Sequence, residues 1–508
     1  MVRMPARRLT AVSGFAATVL MAATLTAVTL SVTGTPAVAA GTGTGYLHTN
    51  GNKIVDSTGA TVRLTGLNWF GMETDTHTFH GLWAGKPATW TQQLDHMASL
   101  GYNTIRVPYT GSSLTYTGST SVNTDSNPDL LGLTPMQILD KVVGYAGQKG
   151  MRIILDRHRP TSAAQTPLWN GAGVSEASII ADWQLLARHF AGNTTVVGAD
   201  LFNEPHAEGT DPQGTGANWG GGDARDWRLA AERIGNAILT VNSNWLIIVE
   251  GVSCSLPSGG IPNAWDNLPD DPMACDWWGG NLALAGQYPV RLNVANRLVY
   301  SPHDYGISVY DHQPWFDTTA NPTFPANLPA VWDHFWGYLY KQNVAPILLG
   351  EFGSTLVDPR DTQWLKALLA YLGTGVNGMS FTYWAWNPNS GDTGGIVGDD
   401  WLTVNQTKQA ILAPYLIPPV AGSTPSSGAS SSPPPPTGTC TATYATTNAY
   451  QGGFQGEVTV KAGSTALTSW TVTWTLASGQ AISQLWNGAL TTSGSTVTVK
   501  NLAYNGAL

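Results

Sequence analysis

Eight short apolar runs separated by amphipathic stretches constrain this chain more than any other feature. The runs span 61–69, 103–109, 152–158, 196–203, 245–250, 297–304, 345–352 and 378–386. They are rich in Val, Ile, Leu and aromatic residues, the composition of strands covered on both faces. Between several of them lie helical patterns, at 135–148, 176–190, 224–241, 328–342 and 362–372. Alternation of this kind predicts an α/β fold, a (β/α)8 barrel over residues 41–416. The competing architecture, a doubly wound open sheet, requires a glycine-rich phosphate loop after its first strand. The stretch Gly41-Thr42-Gly43-Thr44-Gly45 instead precedes that strand and reads as a flexible start to the mature chain.

Of 508 residues, 42% are hydrophobic and 11% charged, enough apolar material for a large core. The net charge of −9, with no basic run beyond the N-terminus, excludes a nucleic-acid partner. The 21 Trp are unusual: flat amphipathic rings suit either packing or stacking on sugar faces.

Residues 1–40 form a secretory signal peptide in this reading. Arg3, Arg7 and Arg8 precede an apolar stretch from Leu9 to Val32, and small residues offer cleavage after Ala39 or Ala40. A membrane anchor is the weaker alternative, because no later apolar run of about 18 residues follows. The chain is therefore expected outside the cell, as a monomer, with no membrane contact after cleavage. Cys254 and Cys275 flank a loop rich in Pro, Gly and Asp that a disulfide would staple, and Cys440 is left over. Residues 417–439 form a Ser/Pro/Thr/Gly linker, which sets residues 440–508 apart as a second module.

Chemistry on a (β/α)8 barrel gathers at the C-terminal ends of its strands. Here those ends carry Arg106, Asp156-Arg157-His158, Asn203-Glu204, Glu250, His303-Asp304-Tyr305, Glu351 and Trp384. Any one of these suits a cap or an ion pair; so many together point to a site. Two carboxylates on different strands, Glu204 and Glu351, suit glycosidic cleavage, which needs an acid for the leaving oxygen and a nucleophile or base for the anomeric carbon. The scattered His and Asp residues lack metal-ligand spacing, so neither metal nor cofactor is expected. No Gly-x-Ser-x-Gly elbow follows a strand, which argues against a serine hydrolase. Trp69 at the first strand end and the Trp277-Trp278 pair are further candidates for sugar stacking, against ordinary packing at the rim.

At Phe202-Asn203-Glu204-Pro205 and Gly350-Glu351-Phe352-Gly353 the chain resembles glycoside hydrolase family 5. The likeness extends in order through His80-Gly81-Leu82-Trp83, the run Leu100 to Arg106, the run Asp156 to Pro160 and Trp384-Ala385-Trp386-Asn387-Pro388. It is nearest to the actinobacterial endo-β-1,4-glucanases of that family, over residues 45–416. The resemblance implies a barrel that hydrolyses internal β-1,4 bonds of cellulose with retention. It makes Glu204 the acid/base and Glu351 the nucleophile. Asn203 would bind the sugar 2-hydroxyl, Arg106 and Tyr305 would orient Glu351, His158 and His303 would line the subsite, and Trp384 would form its floor. A β-mannanase is the alternative within the family, and a non-catalytic glucan-binding protein the alternative outside it.

The tail changes to Thr/Val alternation, a β-sandwich pattern. Its Cys440, Gly452-Gly453-Phe454, Trp486-Asn487-Gly488 and Tyr504-Asn505-Gly506 resemble a family 2 carbohydrate-binding module. Tyr450 and Trp486 match two positions of that family's cellulose-binding platform, whereas Trp470 and Trp474 suit its core. The pattern stops about two-thirds through, so the sequence is expected to be a fragment of a longer protein with an incomplete module.

Overall fold

Side chains alternate across each strand, and this alternation builds the interior of the first unit. On the strand Arg152–Arg157, Ile153 and Leu155 join the large core beneath the surrounding helices, while Ile154 joins Val197, Ile248, Val299 and Leu348 in a separate inner cluster. A small antiparallel sheet, His48–Asn50, Lys53–Val55 and Thr61–Val62, adds Ile54 and Val62 to that inner cluster, Leu47 just before it joins them, and together they close the floor. Above the floor the inward positions turn polar: Asn68, Arg106, Asp156 and Asp200 are all buried.

The computed structural model describes residues 41–420 except 119, 164, 209–215 and 255–272, together with 440–450, 453–462, 469–476, 481–485, 487–493, 496–502 and 505. The proposed signal segment and most of the proposed linker lie outside the described residues. The chain divides into two compact units, Met1–Gly428 and Ala429–Leu508.

The first unit is a nearly closed parallel barrel. In order, its strands are Thr65–Asn68, Thr104–Tyr109, Arg152–Arg157, Val196–Asp200, Leu246–Val249, Leu298–Tyr300, Leu348–Leu349 and Ser380–Tyr383. The sixth and seventh strands meet through a parallel bridge between Tyr300 and Ile347. Beyond that bridge both resume, as His303–Tyr305 and Glu351–Gly353, with His303 opposite Glu351. Pro302 has no N–H to offer the ladder, which accounts for the interruption in the sixth strand.

The observed strands are shorter than the apolar runs. The run 61–69 divides in two: Thr61–Val62 pairs in the floor sheet and only Thr65–Asn68 enters the barrel. The fourth strand stops at Asp200 and the eighth at Tyr383, so Asn203, Glu204 and Trp384 sit on the irregular chain just past strand ends. Helices follow their caps. Thr134 accepts from Gln137 N, with Pro135 in the first turn of Pro135–Gln148. Asp226 accepts from Leu229 N and starts its helix at Trp227, three residues after the pattern begins. Asp358 with Pro359 starts Pro359–Leu372 earlier than expected. The stretch from Leu328 to Lys341 contains a wider turn, Asp333–Gly337, in mid-helix. Cys254 and Cys275 form a disulfide, at the base of a segment mostly outside the described residues. Among the described residues, no helix is long and apolar enough to cross a membrane.

Among its described residues, the second unit holds two antiparallel sheets. One pairs Cys440–Tyr450 with Gly453–Ala462, and the other orders Thr471–Thr475, Thr496–Lys500 and Ala489–Ser493. Val497 and Val499 are buried, while Trp470 and Trp474 are half-buried, with the Trp470 indole donating to the Asn505 carbonyl.

Candidate active site

The site is organised around one guanidinium. Arg106, fully buried on the second strand, donates from Nε to Asp200 Oδ2 at 2.8 Å. Its Nη1 donates to Glu351 Oε1 at 2.6 Å and Asn68 Oδ1 at 3.0 Å, and lies 3.1 Å from Asp156 Oδ2. Its Nη2 donates to Asn203 Oδ1 and Glu250 Oε1, both at 2.9 Å. Only a planar fork with several fixed donors can serve acceptors on so many strands at once. Burial opposes its charge, but the carboxylates of Asp156, Asp200, Glu351 and Glu250 hold it well above its ordinary value.

Burial also disfavours charge on three of these acids. Burial pushes Asp156 up to about 7 against the pull of Arg106. It raises Asp200 and Glu250 as well, against the pull of Arg106 and His303.

Glu204 follows the fourth strand at a φ of 50°, a left-handed conformation that side chains other than Gly rarely adopt. Its N–H donates to Glu250 Oε2 at 2.6 Å, and its carbonyl accepts from His206 Nδ1 at 2.8 Å. These bonds turn its carboxylate toward the barrel axis, where Oε1 meets His303 Nδ1 at 3.0 Å and Oε2 accepts from Gln165 Nε2 at 3.1 Å. Burial disfavours charge on His303, yet Glu250, Glu351 and Glu204 outweigh it and raise the imidazole well above its ordinary value. His303 therefore acts as a cation between acids, and its Nε2 lies 3.3 Å from Glu250 Oε1.

Glu351 stands opposite. Oε1 accepts from Arg106 and Oε2 from the Tyr305 hydroxyl at 2.5 Å. A carboxylate of Glu204 and one of Glu351 approach within 4.8 Å. His158 Nδ1 pairs with Asp156 Oδ2 at 2.7 Å, and burial keeps the ring well below its ordinary value, hence neutral. Trp384 lies parallel to both His158 and Phe70, with centroids 5.4 Å and 5.3 Å away. Asn203 Nδ2 is buried and has no hydrogen-bond partner among the described residues.

Three sets of atoms here are close enough for a metal ion to bridge: Asp156–His158–Glu351, Glu204–His303–Glu351 and Asp156–Asp200–Glu250. Arg106 is paired with a carboxylate in each, so a permanent cation already stands among them.

The structure thus brings together Arg106, His158, Asn203, Glu204, His303, Tyr305, Glu351 and Trp384. It removes two aromatic candidates. Trp69 is fully buried against Phe79, with its indole donating to the His80 carbonyl, so neither face can meet a sugar. Trp277 is buried among Tyr305, Tyr310 and Phe316 and packs the rim. Trp278 is half-buried and stacks on His206 at 3.7 Å. Trp486 and the side chain of Tyr450 lie outside the described residues. Asn68, Gln165, Asp200 and the contacts of Glu250 were not foreseen. Gln165 belongs to a long loop without periodicity, and Asp200 looks like a strand cap until the barrel closes around it.

Glu73, in the loop after the first strand, is a further buried acid. Burial pushes it up to about 7, against the hydrogen bond it accepts from Gly71 N. Its folded value lies above its unfolded value, so the native state binds the extra proton. That stability is fully present below about 4.5 and is lost as pH rises through about 7. Glu73→Gln keeps an acceptor for Gly71 without the charge. Denaturant titrations should show the variant gaining on the parent by about 1 kcal/mol per pH unit across this window. A pH-independent difference would contradict this burial argument.

Comparison with known proteins agrees with this geometry. Residues 55–390 match the model for Cellulase (glycosyl hydrolase family 5), and residues 440–508 match that for a cellulose binding domain. An endoglucanase of Paenibacillus polymyxa is 48% identical over 381 residues, covering 74% of this chain and 88% of that protein. The major extracellular endoglucanase of Xanthomonas campestris pv. campestris is 40% identical over 396 residues, covering 76% of this chain and 74% of that protein. A solved complex of a Pyrococcus horikoshii endocellulase variant with cellotetraose aligns with a TM-score of 0.66 at 39% identity, covering 74% of this chain and 99% of that one. With a matching barrel, paired glutamates and a family model spanning most of the first unit, the chain belongs to the cellulase family, glycosyl hydrolase family 5.

Proposed function

We propose that Glu204 and Glu351 divide the enzyme's hydrolysis of internal β-1,4-glucosidic bonds between them, Glu204 as acid and then base, Glu351 as nucleophile. The observation that carries this is their approach to within 4.8 Å. Retaining enzymes hold their carboxyl groups about 5–5.5 Å apart, while inverting enzymes leave about 6.5–9.5 Å for a water.

In the first step a Glu351 oxygen bonds to the anomeric carbon as the glycosidic C–O bond breaks, and Glu204 gives its proton to the departing oxygen. In the second, water attacks that carbon, Glu204 takes the water's proton and the Glu351 ester bond breaks. Two donors, Arg106 and Tyr305, fix Glu351. His303 and Gln165 each engage one Glu204 oxygen and hold the carboxyl group in place for the transfer. The free Asn203 Nδ2 is suited to the sugar 2-hydroxyl, and the broad Trp384 ring to the sugar face.

The substrate is a β-glucan such as cellulose, and the relatives' endoglucanase character disfavours mannan. The protein works outside the cell as a monomer, after loss of residues 1–40. The extracellular relative, the disulfide and a complete set of site residues within one chain support this. Reducing-sugar release should be large on carboxymethylcellulose and small on mannan, and proton NMR should show the β-anomer forming first. Release from mannan alone, or an initial α-anomer, would overturn the assignment.

A further inference from the structure

We propose that Glu250 is a positioning residue for the acid/base: it locks the Glu204 backbone in its left-handed conformation and backs His303 against the Glu204 carboxylate. This rests on the role assigned to Glu204.

Glu250 is fully buried just past the fifth strand, and its two oxygens do different work. Oε2 accepts the Glu204 N–H in a short bond of 2.6 Å. Oε1 accepts from Arg106 Nη2 at 2.9 Å and lies 3.3 Å from His303 Nε2. The other ring nitrogen, Nδ1, meets Glu204 Oε1 at 3.0 Å. Glu250 thus holds the catalytic glutamate twice, once by its main chain and once through an imidazolium. A left-handed residue without this anchor would relax toward ordinary φ and swing its side chain off the barrel axis.

Gly279 shows how closely the surroundings are built to this contact. Its own φ is +72°, and a Cβ there would lie 2.5 Å from Glu250 Oε2 and 3.4 Å from Glu204 Cγ. Only glycine lets the chain cover both acids without displacing them.

Glu250→Gln preserves volume but turns one acceptor into a donor. Whichever way the amide lies, an N–H faces either the Glu204 N–H or the Arg106 guanidinium. Glu250→Asp keeps the charge on Arg106 but is one methylene too short to hold both partners. The test compares two substrates. Carboxymethylcellulose has a poor leaving group and needs the acid; 2,4-dinitrophenyl β-cellobioside leaves without one. Both are compared by kcat/KM, which reports the first step alone; Glu204→Ala is the reference and should lose about 10²–10⁴-fold on the first and far less on the second. Both Glu250 variants, with folding checked by thermal melting, should show the same selectivity, with a loss of about 100-fold or more on carboxymethylcellulose. If Glu250→Gln does not fold, Glu250→Asp carries the test. Equal loss on both substrates, or no loss, would overturn the positioning role while leaving Glu204 intact. An unselective Glu204→Ala would instead overturn the acid assignment and the proposal with it.

Discussion

Glu351→Ala should abolish hydrolysis, with kcat falling by about 10⁴-fold or more, and sodium azide should restore turnover with the opposite anomer as product. The loss follows from removal of the atom that bonds to the sugar. The rescue follows from what the substitution leaves behind. Arg106 Nη1 and the Tyr305 hydroxyl both donate to Glu351, and both would face the vacated space. A small anion is the natural occupant of a hole lined by a guanidinium and a phenol. It approaches the anomeric carbon from the side where Glu351 stood, and no second displacement follows, so the trapped product is an α-glycosyl azide. The barrel should still fold, because Asp156, Asp200 and Glu250 remain paired with Arg106. Undiminished hydrolysis by this variant, or a β-azide, would refute the nucleophile assignment.

Arg106→Met should cost the catalytic unit about 3–5 kcal/mol, among the largest effects of any single substitution. Four buried carboxylates share this cation, and none is replaced by the methionine. Deprived of it, the acids could relieve their repulsion only by taking up protons. The destabilisation should therefore shrink as pH falls and the acids are neutralised, which denaturant titrations at acidic and neutral pH would measure. A loss independent of pH would point to packing alone. Arg106→Lys tests the geometry separately. It keeps the charge but not the fork, so Asn203 and Glu351 cannot both be held. It should recover stability in part and activity hardly at all. Full activity in that variant would show that charge alone suffices.

Much of the architecture was legible along the chain because its signals are local. Capping residues such as Thr134 and Ser175 mark helix starts within one turn. The apolar runs mark strands, and their polar ends mark the mouth. Legibility failed where the outcome depends on what lies across the barrel. Trp69 ends one apolar run and Trp384 lies close to the end of another, yet one is sealed under Phe79 and the other is partly open beside His158. Nothing within a few residues of either distinguishes them. Run lengths misled for a similar reason. Apolar character continues beyond hydrogen-bonded pairing, so Asn203 and Glu204 were expected on a strand that ends at Asp200. That early ending gives Glu204 the freedom to adopt a φ of 50°.

By itself, then, the sequence determined the kind of residues at each strand end, hence a two-glutamate chemistry on an eight-stranded barrel, because apolar runs and the polar residues that end them follow from local pattern. Tertiary structure alone decided how those residues are charged and aimed. The spacing of Glu204 from Glu351, the left-handed turn held by Glu250 and the raised carboxyl groups of Asp156, Asp200 and Glu250 around Arg106 arise only when distant strands close into one low-dielectric interior. There each charge is governed by neighbours that are far away in the chain.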